Sequence, residues 1–220
     1  MPSVLKEGIF IAAIVPLSGG WHHKSVKILI ATKNPGKFAE IREMLSTLEA
    51  DFVSLTDLGI SEDFIEEGGS FEENALGKAR FYAQLSGLLT LSDDSGIFVE
   101  ALGDELGVKT RRWGAGETAS DEEWLAHFMQ RMAQEKNRKA KFVCAAAYVS
   151  GDEEKVFLGE TEGTITETIE VPVKAGIPLS SVFKPLGHEK VFAALSAAEK
   201  NEFSHRGKAF QRLRLFLGKA

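Results

Sequence analysis

Two aspartates stand side by side at Asp93 and Asp94, inside the stretch LLTLSDDSGIFVEAL at residues 88–102. An apolar run through Leu88, Leu89 and Leu91 leads into them, and Ser95 and Gly96 follow. Neighbouring like charges repel, and a buried carboxylate without a partner is strongly unfavourable. The pair is therefore a solvated turn at the end of a strand, or a place where a cation sits. Successive side chains of an extended chain point to opposite faces, so the two are poorly placed to hold one ion together. One is expected to face a site and the other to be paired or solvated.

Three more clusters carry candidate chemistry. ATKNPGK, residues 31–37, joins a strand to a helix. Such a junction aims backbone N–H groups and the positive end of a helix dipole at one spot, as phosphate binding requires. Lys33 and Lys37 add charge. This is not a Walker loop, because the first glycine is missing and Phe38 stands where Ser or Thr would reach magnesium. A capped helix start explains the same residues. Glu73 closes a Ser70-x-x-Glu73 capping box, and is equally a carboxylate held rigidly in a first helical turn where it could reach a metal. The last cluster, EKNEFSHRGKAF at residues 199–210, sets Ser204, His205 and Arg206 just before a helix, with Lys200 upstream. It reads as a cap with surface charge, or as a reader of an electron-rich ligand edge. Two carboxylates from different elements, completed by water and substrate phosphate, would suit Mg2+.

The elements that must position these groups follow from periodicity. VKILIA is a short apolar strand ending at Thr32. The following stretch has a helical stripe at Phe38, Ile41, Leu45 and Leu48, with Asn34 as N-cap and Pro35 as first helical residue. FVSL reads as a second strand, TDLGISEDFIEEGG as an acidic loop, and SFEENALGKARFYAQLSG as a second helix. The strand carrying the aspartates comes next and is expected to end at them, before IFVEAL and a glycine-rich loop. Ser120-x-x-Glu123 opens a helix that turns Trp124, Leu125, Phe128 and Met132 inward. KFVCAAAYV and KVFLGETEGTITETI read as two or three strands, with Gly151 and Asp152 as the first turn. Residues 171–187 read as irregular, and two short helices, around EKVFAALS and HRGKAFQRLRLFL, end the chain. Helices interleaved with strands, plus a late hairpin, make an α/β protein with a mixed sheet.

The chain has 220 residues and a formal net charge of −6, which argues against a broad nucleic-acid or anionic-membrane surface. Its single cysteine, Cys144, lies in an apolar strand pattern, so a buried thiol and a reducing, cytoplasmic setting are expected. Residues 1–24 hold a short apolar run, interrupted by Glu7 and far below the ~20 residues of a membrane span. They are expected to form an extension outside the core, with residues 25–220 as one domain.

In order, TKNPGK, SFEENALGKA, SDDSG and EKNEFSHRGKA resemble the inosine triphosphate pyrophosphatase family, the non-canonical purine nucleoside triphosphate (XTP/dITP) pyrophosphatases; GVKTRRWGAGE supports the match. The blocks cover about residues 26–217, and four ordered motifs are far more specific than any one. The resemblance implies an elongated, two-lobed α/β fold, usually a homodimer, that hydrolyses a nucleoside triphosphate to monophosphate and pyrophosphate with Mg2+. Carried over by position, it implies that Thr32, Lys33, Asn34, Pro35, Gly36 and Lys37 hold the phosphates. Glu73 and Asp94 would bind the metal, Asp94 would also be the catalytic base, and Ser95 would touch substrate. Lys200, His205 and Arg206 would contact the nucleotide, the last two at the base.

Two departures stand out. Lys33 occupies a position where the family usually has glycine. The stretch AGIPLSSVF replaces the family's aromatic-Gly-aromatic-Asp segment, so Ile177, Pro178, Leu179 and Ser180 would wall the base without a ring or a carboxylate. Hydrolysis of inosine, deoxyinosine and xanthosine triphosphates is the implied activity. The altered loop keeps open a same-fold pyrophosphatase with shifted base preference, and a nucleotide-binding regulatory protein with little turnover is the other alternative. A nucleic-acid-binding role resting on Arg212, Arg214 and Lys219 is disfavoured by the overall acidity.

Overall fold

Apolar Val26–Ile30 forms β1, and the chain returns through α1 (Pro35–Met44) to lay β2 (Ala50–Ser54) parallel to it. In this computed structural model, which describes residues 25–115 and 118–218, α1 starts as its sequence dictates. Asn34 Oδ1 accepts the Lys37 N–H at 3.1 Å and Pro35 takes the first turn, while Ile41 and Leu45 are buried. The expectation for residues 1–24 falls outside the described residues.

The long α2 (Phe71–Ser86) then leads to β3 (Leu89–Val99), parallel to β1 on its other side. β4 (Lys139–Ser150), β5 (Glu153–Ile165) and a short β6 (Phe183–Pro185) add antiparallel strands, giving a six-stranded mixed sheet in the order β2-β1-β3-β4-β5-β6. The β4–β5 hairpin closes through Gly151 and Asp152, as expected from sequence. Three other expectations are corrected. β3 does not end at the aspartates but runs five residues past Asp94, because pairing with β4 satisfies its backbone through Asp93, Asp94, Ser95 and Gly96. Residues around EKVFAALS form only a 3-10 turn at Phe192–Ala194, and the helix α4 starts later, at Ala197–Phe203, behind a Ser196 and Glu199 capping box. The irregular stretch 171–187 contains β6.

Strand alternation divides the sheet into two differently used faces. Ala145 and Ala147 of β4 pack with Ala75 and Ala79 of α2. Cys144, Ala146 and Tyr148 point the other way, to Ala209, Phe210 and Leu213 of α5 (His205–Leu217) and to Ile41 of α1. Asp94 stands in register with Ala145, and Asp93 with Ala146. The register thus sends Asp94 to the α2 face and Asp93 to the α1 and α5 face. A further core gathers around α3 (Asp121–Met132), where Trp124 and Phe128 meet Leu179, Phe183 and Phe192.

Candidate active site

A cleft of about 700 Å³ opens where the end of β1, the middle of β3, the 176–180 segment and the start of α5 converge. Thr32, Lys33, Asn34, Pro35, Lys37, Asp94, Ser95, Ile177, Pro178, Leu179, Ser180, Lys200, His205 and Arg206 all line it. Of the residues assigned a site role from sequence, Gly36 and Glu73 do not, and neither does Asp93.

On one face of β3, Asp93 is fully buried inside a network of charges. Its Oδ2 lies 3.1 Å from Lys37 Nζ and accepts from Arg206 Nε at 3.2 Å. Arg206 also donates to Glu40 Oε2 at 2.7 Å and to Ser95 Oγ at 3.0 Å, and Lys200 meets Glu40 Oε1 at 2.5 Å. Burial alone would raise the Asp93 pKa, but Lys37, Arg206 and Lys78 outweigh it and hold the carboxyl well below its usual range. Burial lowers Lys200 more than Glu40 restores it. Arg206 can enter this network because Gly159 of β5 lets α5 approach closely: a Cβ there would stand 2.6 Å from Ala209 N and nearer still to the His205 carbonyl. Every nitrogen of Arg206 is thus engaged within the protein, which ties the base-reading arginine expected from sequence to Asp93.

On the other face, Asp94 has only light support. Its Oδ2 accepts from Asn74 Nδ2 at 3.0 Å and its Oδ1 from the Ser95 N–H at 2.8 Å. Burial raises its pKa, Glu66 pushes the same way, and Lys78 and Lys37 oppose them without cancelling the rise. Glu66 shares the cleft wall and pairs with Lys78 at 2.5 Å, while its backbone carbonyl accepts from Arg112 at 2.7 Å. Glu73 is engaged elsewhere: Ser70 Oγ caps its N–H, and its Oε2 accepts the Gly69 N–H at 2.8 Å rather than completing the box at Ser70. Besides Asp94, the cleft is lined by the carboxylates of Asp63, Glu66 and Asp121, and Glu66 is the one whose charge raises the Asp94 pKa. Its link to Lys78 spans twelve residues of coil and helix, a spacing with no local sequence signature. Glu40 was more legible, one helical turn beyond Lys37.

The phosphate-loop candidates are held from within. Thr32 Oγ1 accepts the Asn34 N–H at 3.1 Å, and Lys33 reaches away to Asp63 at 2.5 Å and to the Ser61 carbonyl at 2.8 Å. Gly36 packs under the loop, near the Ala175 carbonyl. In the 177–180 segment, expected from sequence to wall the base, Ser180 is buried and its hydroxyl donates to the Ile177 carbonyl. Aromatic surface enters from elsewhere. Phe142 of β4 and Phe192 line the cleft, and His205 stacks on Phe142 at 4.5 Å and 11°. Lys200 lies 5.8 Å above the Phe192 ring. Burial, with Arg206 and Lys200 nearby, keeps the His205 pKa well below its usual value, so the imidazole is neutral, and its Nδ1 has no partner.

Residues 28–216 match the model of the Ham1 family. The chain is 38% identical over 196 residues to the dITP/XTP pyrophosphatase of Caldanaerobacter subterraneus subsp. tengcongensis, covering 87% of this chain and 96% of that protein. It is 35% identical over 188 residues to the dITP/XTP pyrophosphatase of Bacillus subtilis, covering 84% and 93%. The solved structure of a HAM1 protein from Coxiella burnetii superposes with a TM-score of 0.75 at 33% identity, covering 89% of this chain and all of that one.

Proposed function

The chain belongs to the Ham1 family, and from that premise we propose that it hydrolyses non-canonical purine nucleoside triphosphates. Inosine, deoxyinosine and xanthosine triphosphates would yield the monophosphate and pyrophosphate. The observation that carries this reading is the split between the two aspartates: Asp93 is paired through its Oδ2 with Lys37 and Arg206, whereas Asp94 meets the cleft beside Glu66 and Lys78 with a raised pKa. A carboxyl whose pKa is raised toward neutrality is suited to accept a proton.

Monophosphate and pyrophosphate products require that water add to the α-phosphorus while the bond to the bridging β-oxygen breaks. Asp94 takes the water proton, and Asn74 and the Ser95 N–H hold its carboxylate in place. Lys37, at the first turn of α1, and Lys78 supply positive charge against the phosphate oxygens and the leaving pyrophosphate. The donor set fits Mg2+ in the manner of a hard ion held by few carboxylates. Among the described residues no three His, Cys, Asp or Glu side chains cluster to cage a metal, but Asp94 and Glu66 share the cleft. Asp94 and Glu66 would hold Mg2+, which would supply Lewis-acid neutralisation of phosphate charge. Glu66→Gln should therefore raise the Mg2+ requirement more than Glu73→Gln does.

The base sits against the aliphatic 177–180 wall and the Phe142, Phe192 and His205 rings. The ring-less wall also favours a second reading, the same chemistry with a shifted base preference. One experiment separates the two: pyrophosphate release, with and without Mg2+, across the common and the deaminated nucleoside triphosphates. Preference for inosine and xanthosine triphosphates supports the first reading, and equal efficiency with ATP or a pyrimidine triphosphate overturns it. Lack of turnover with every nucleotide would return the regulatory alternative. The homodimer that the resemblance implies belongs to the same proposal, with sedimentation as its test.

A further inference from the structure

Gly176, at a φ of 77°, is gripped on both sides of its backbone by side chains distant in sequence. Its carbonyl accepts from Asn34 Nδ2 at 3.0 Å, and its N–H donates to Asp121 Oδ2 at 2.5 Å. Asn34 is the N-cap of α1, and Asp121 is the first residue of α3. Only glycine fits between them, since a Cβ at 176 would stand 2.4 Å from Asn34 Nδ2. The side chain of Asp121 is 17% exposed and sits on the cleft wall, with its Oδ1 3.8 Å from Arg111. α3 does not need this carboxylate as a cap, because Ser120 and Glu123 already form a complete capping box.

We propose that Asp121 is a positioning residue for nucleotide recognition, an inference that rests on the function proposed above. The segment it holds runs directly into Ile177, Pro178, Leu179 and Ser180, the wall without a ring. A wall of this kind discriminates by contact distance alone, so its grip on a base depends on where the segment sits. Asp121 sets that place through the Gly176 N–H. Asn34 ties the same residue to the phosphate loop, so the two hydrogen bonds together fix the span between base and phosphate subsites. A charge-assisted hydrogen bond is of the strength needed to hold a segment that otherwise has a single 3-10 turn.

The test compares Asp121→Ala with Asp121→Asn, which keeps an acceptor oxygen, and with Glu122→Ala, which removes an exposed carboxylate from the same helical turn. With inosine triphosphate and Mg2+, Asp121→Ala should raise KM about tenfold, the scale of one such bond, while kcat stays within about twofold. Inhibition by inorganic tripolyphosphate should be unchanged, since that ligand has no base. Asp121→Asn should recover most of the KM, and Glu122→Ala should match the wild type. An unchanged KM in Asp121→Ala overturns the proposal. So does an equal loss of tripolyphosphate inhibition, or the same defect in Glu122→Ala, because each points to general loosening. If the wild type prefers another nucleoside triphosphate, the proposed function falls alone, and the same variants assayed with that nucleotide still decide the role of Asp121. Absence of hydrolysis with any nucleotide removes both.

Discussion

Asp93 and Asp94 are the same residue one peptide apart, yet the two faces of β3 give them opposite surroundings. Asp93 looks toward α1 and α5 and meets Lys37 and Arg206, the latter tied through Glu40 to Lys200. Asp94 looks toward α2 and meets a neutral amide and a backbone N–H, with Glu66 rather than a cation as the next influence on its charge. The first carboxyl is held ionised and the second is pushed toward protonation. Residue type therefore says little here. The parity of a residue along the strand decides which job its carboxylate can do.

Removing Asp93 should break the comparison most severely. Asp93→Ala leaves Arg206 and Lys37 near one another without the anion between them, and the loss of one partner from a buried ionic network costs about 3–5 kcal/mol. Chemical denaturation reads this directly, and a loss below about 1 kcal/mol would mean that the network does not hold the fold. Asp94→Asn should do the reverse. Stability should stay within about 1 kcal/mol, because the charge removed is one that burial disfavours. Turnover should fall at least about a hundredfold, the lower range for loss of a general base. Retention of more than about a tenth of the rate would take that role from Asp94.

The smallest effect sharpens the picture of the Asp93 face through His205. The folded protein keeps this imidazole neutral well below its usual value of 6.5, whereas the unfolded chain takes up a proton as pH falls through 6.5. The unfolded state then binds more protons, so stability should drop with falling pH below about 6.5, by up to ~1.4 kcal/mol per unit from this group. Asp93 shifts in the opposite regime: its contribution is present above the ordinary 3.8 and is lost only below it. Denaturation midpoints between pH 7 and pH 5 should therefore fall more steeply for wild type than for His205→Gln. Equal slopes would show that His205 takes up its proton in the folded state.

Local signals in the sequence were read correctly where local physics decides the outcome. Asn34 and Pro35 start α1, Ser120 and Glu123 start α3, Gly151 and Asp152 turn the hairpin, and the Cys144 strand is buried. The continuation of β3 through two aspartates, a serine and a glycine was hidden, since each of these except serine is depleted in strands and only the pairing with β4 keeps them extended. Glu66 replaces Glu73 on the cleft wall for a similar reason. A coil segment reaches the cleft by tertiary contacts with Lys78 and Arg112, whereas Glu73 follows its own helix start. Phe142, Phe192 and His205 come together from β4, a 3-10 turn and α5, so no window of sequence displays the rings that stand beside the altered loop.

The alanines of β4 bear on how this protein can change over time. Ala145 and Ala147 lie in one cluster with Ala75 and Ala79, so at these four positions methyl groups set the spacing between the sheet and α2, with Phe71, Val143 and Val149 filling the layer around them. That spacing fixes how far Asn74 stands from Asp94. An inherited enlargement at any of these four positions would act as a thicker gasket, lifting the helix and lengthening the Asn74–Asp94 hydrogen bond from within the interior. The surroundings of Asp94 are therefore set in part by an interior that looks like simple filler, and a larger side chain there is accommodated only if the helix and strand shift together.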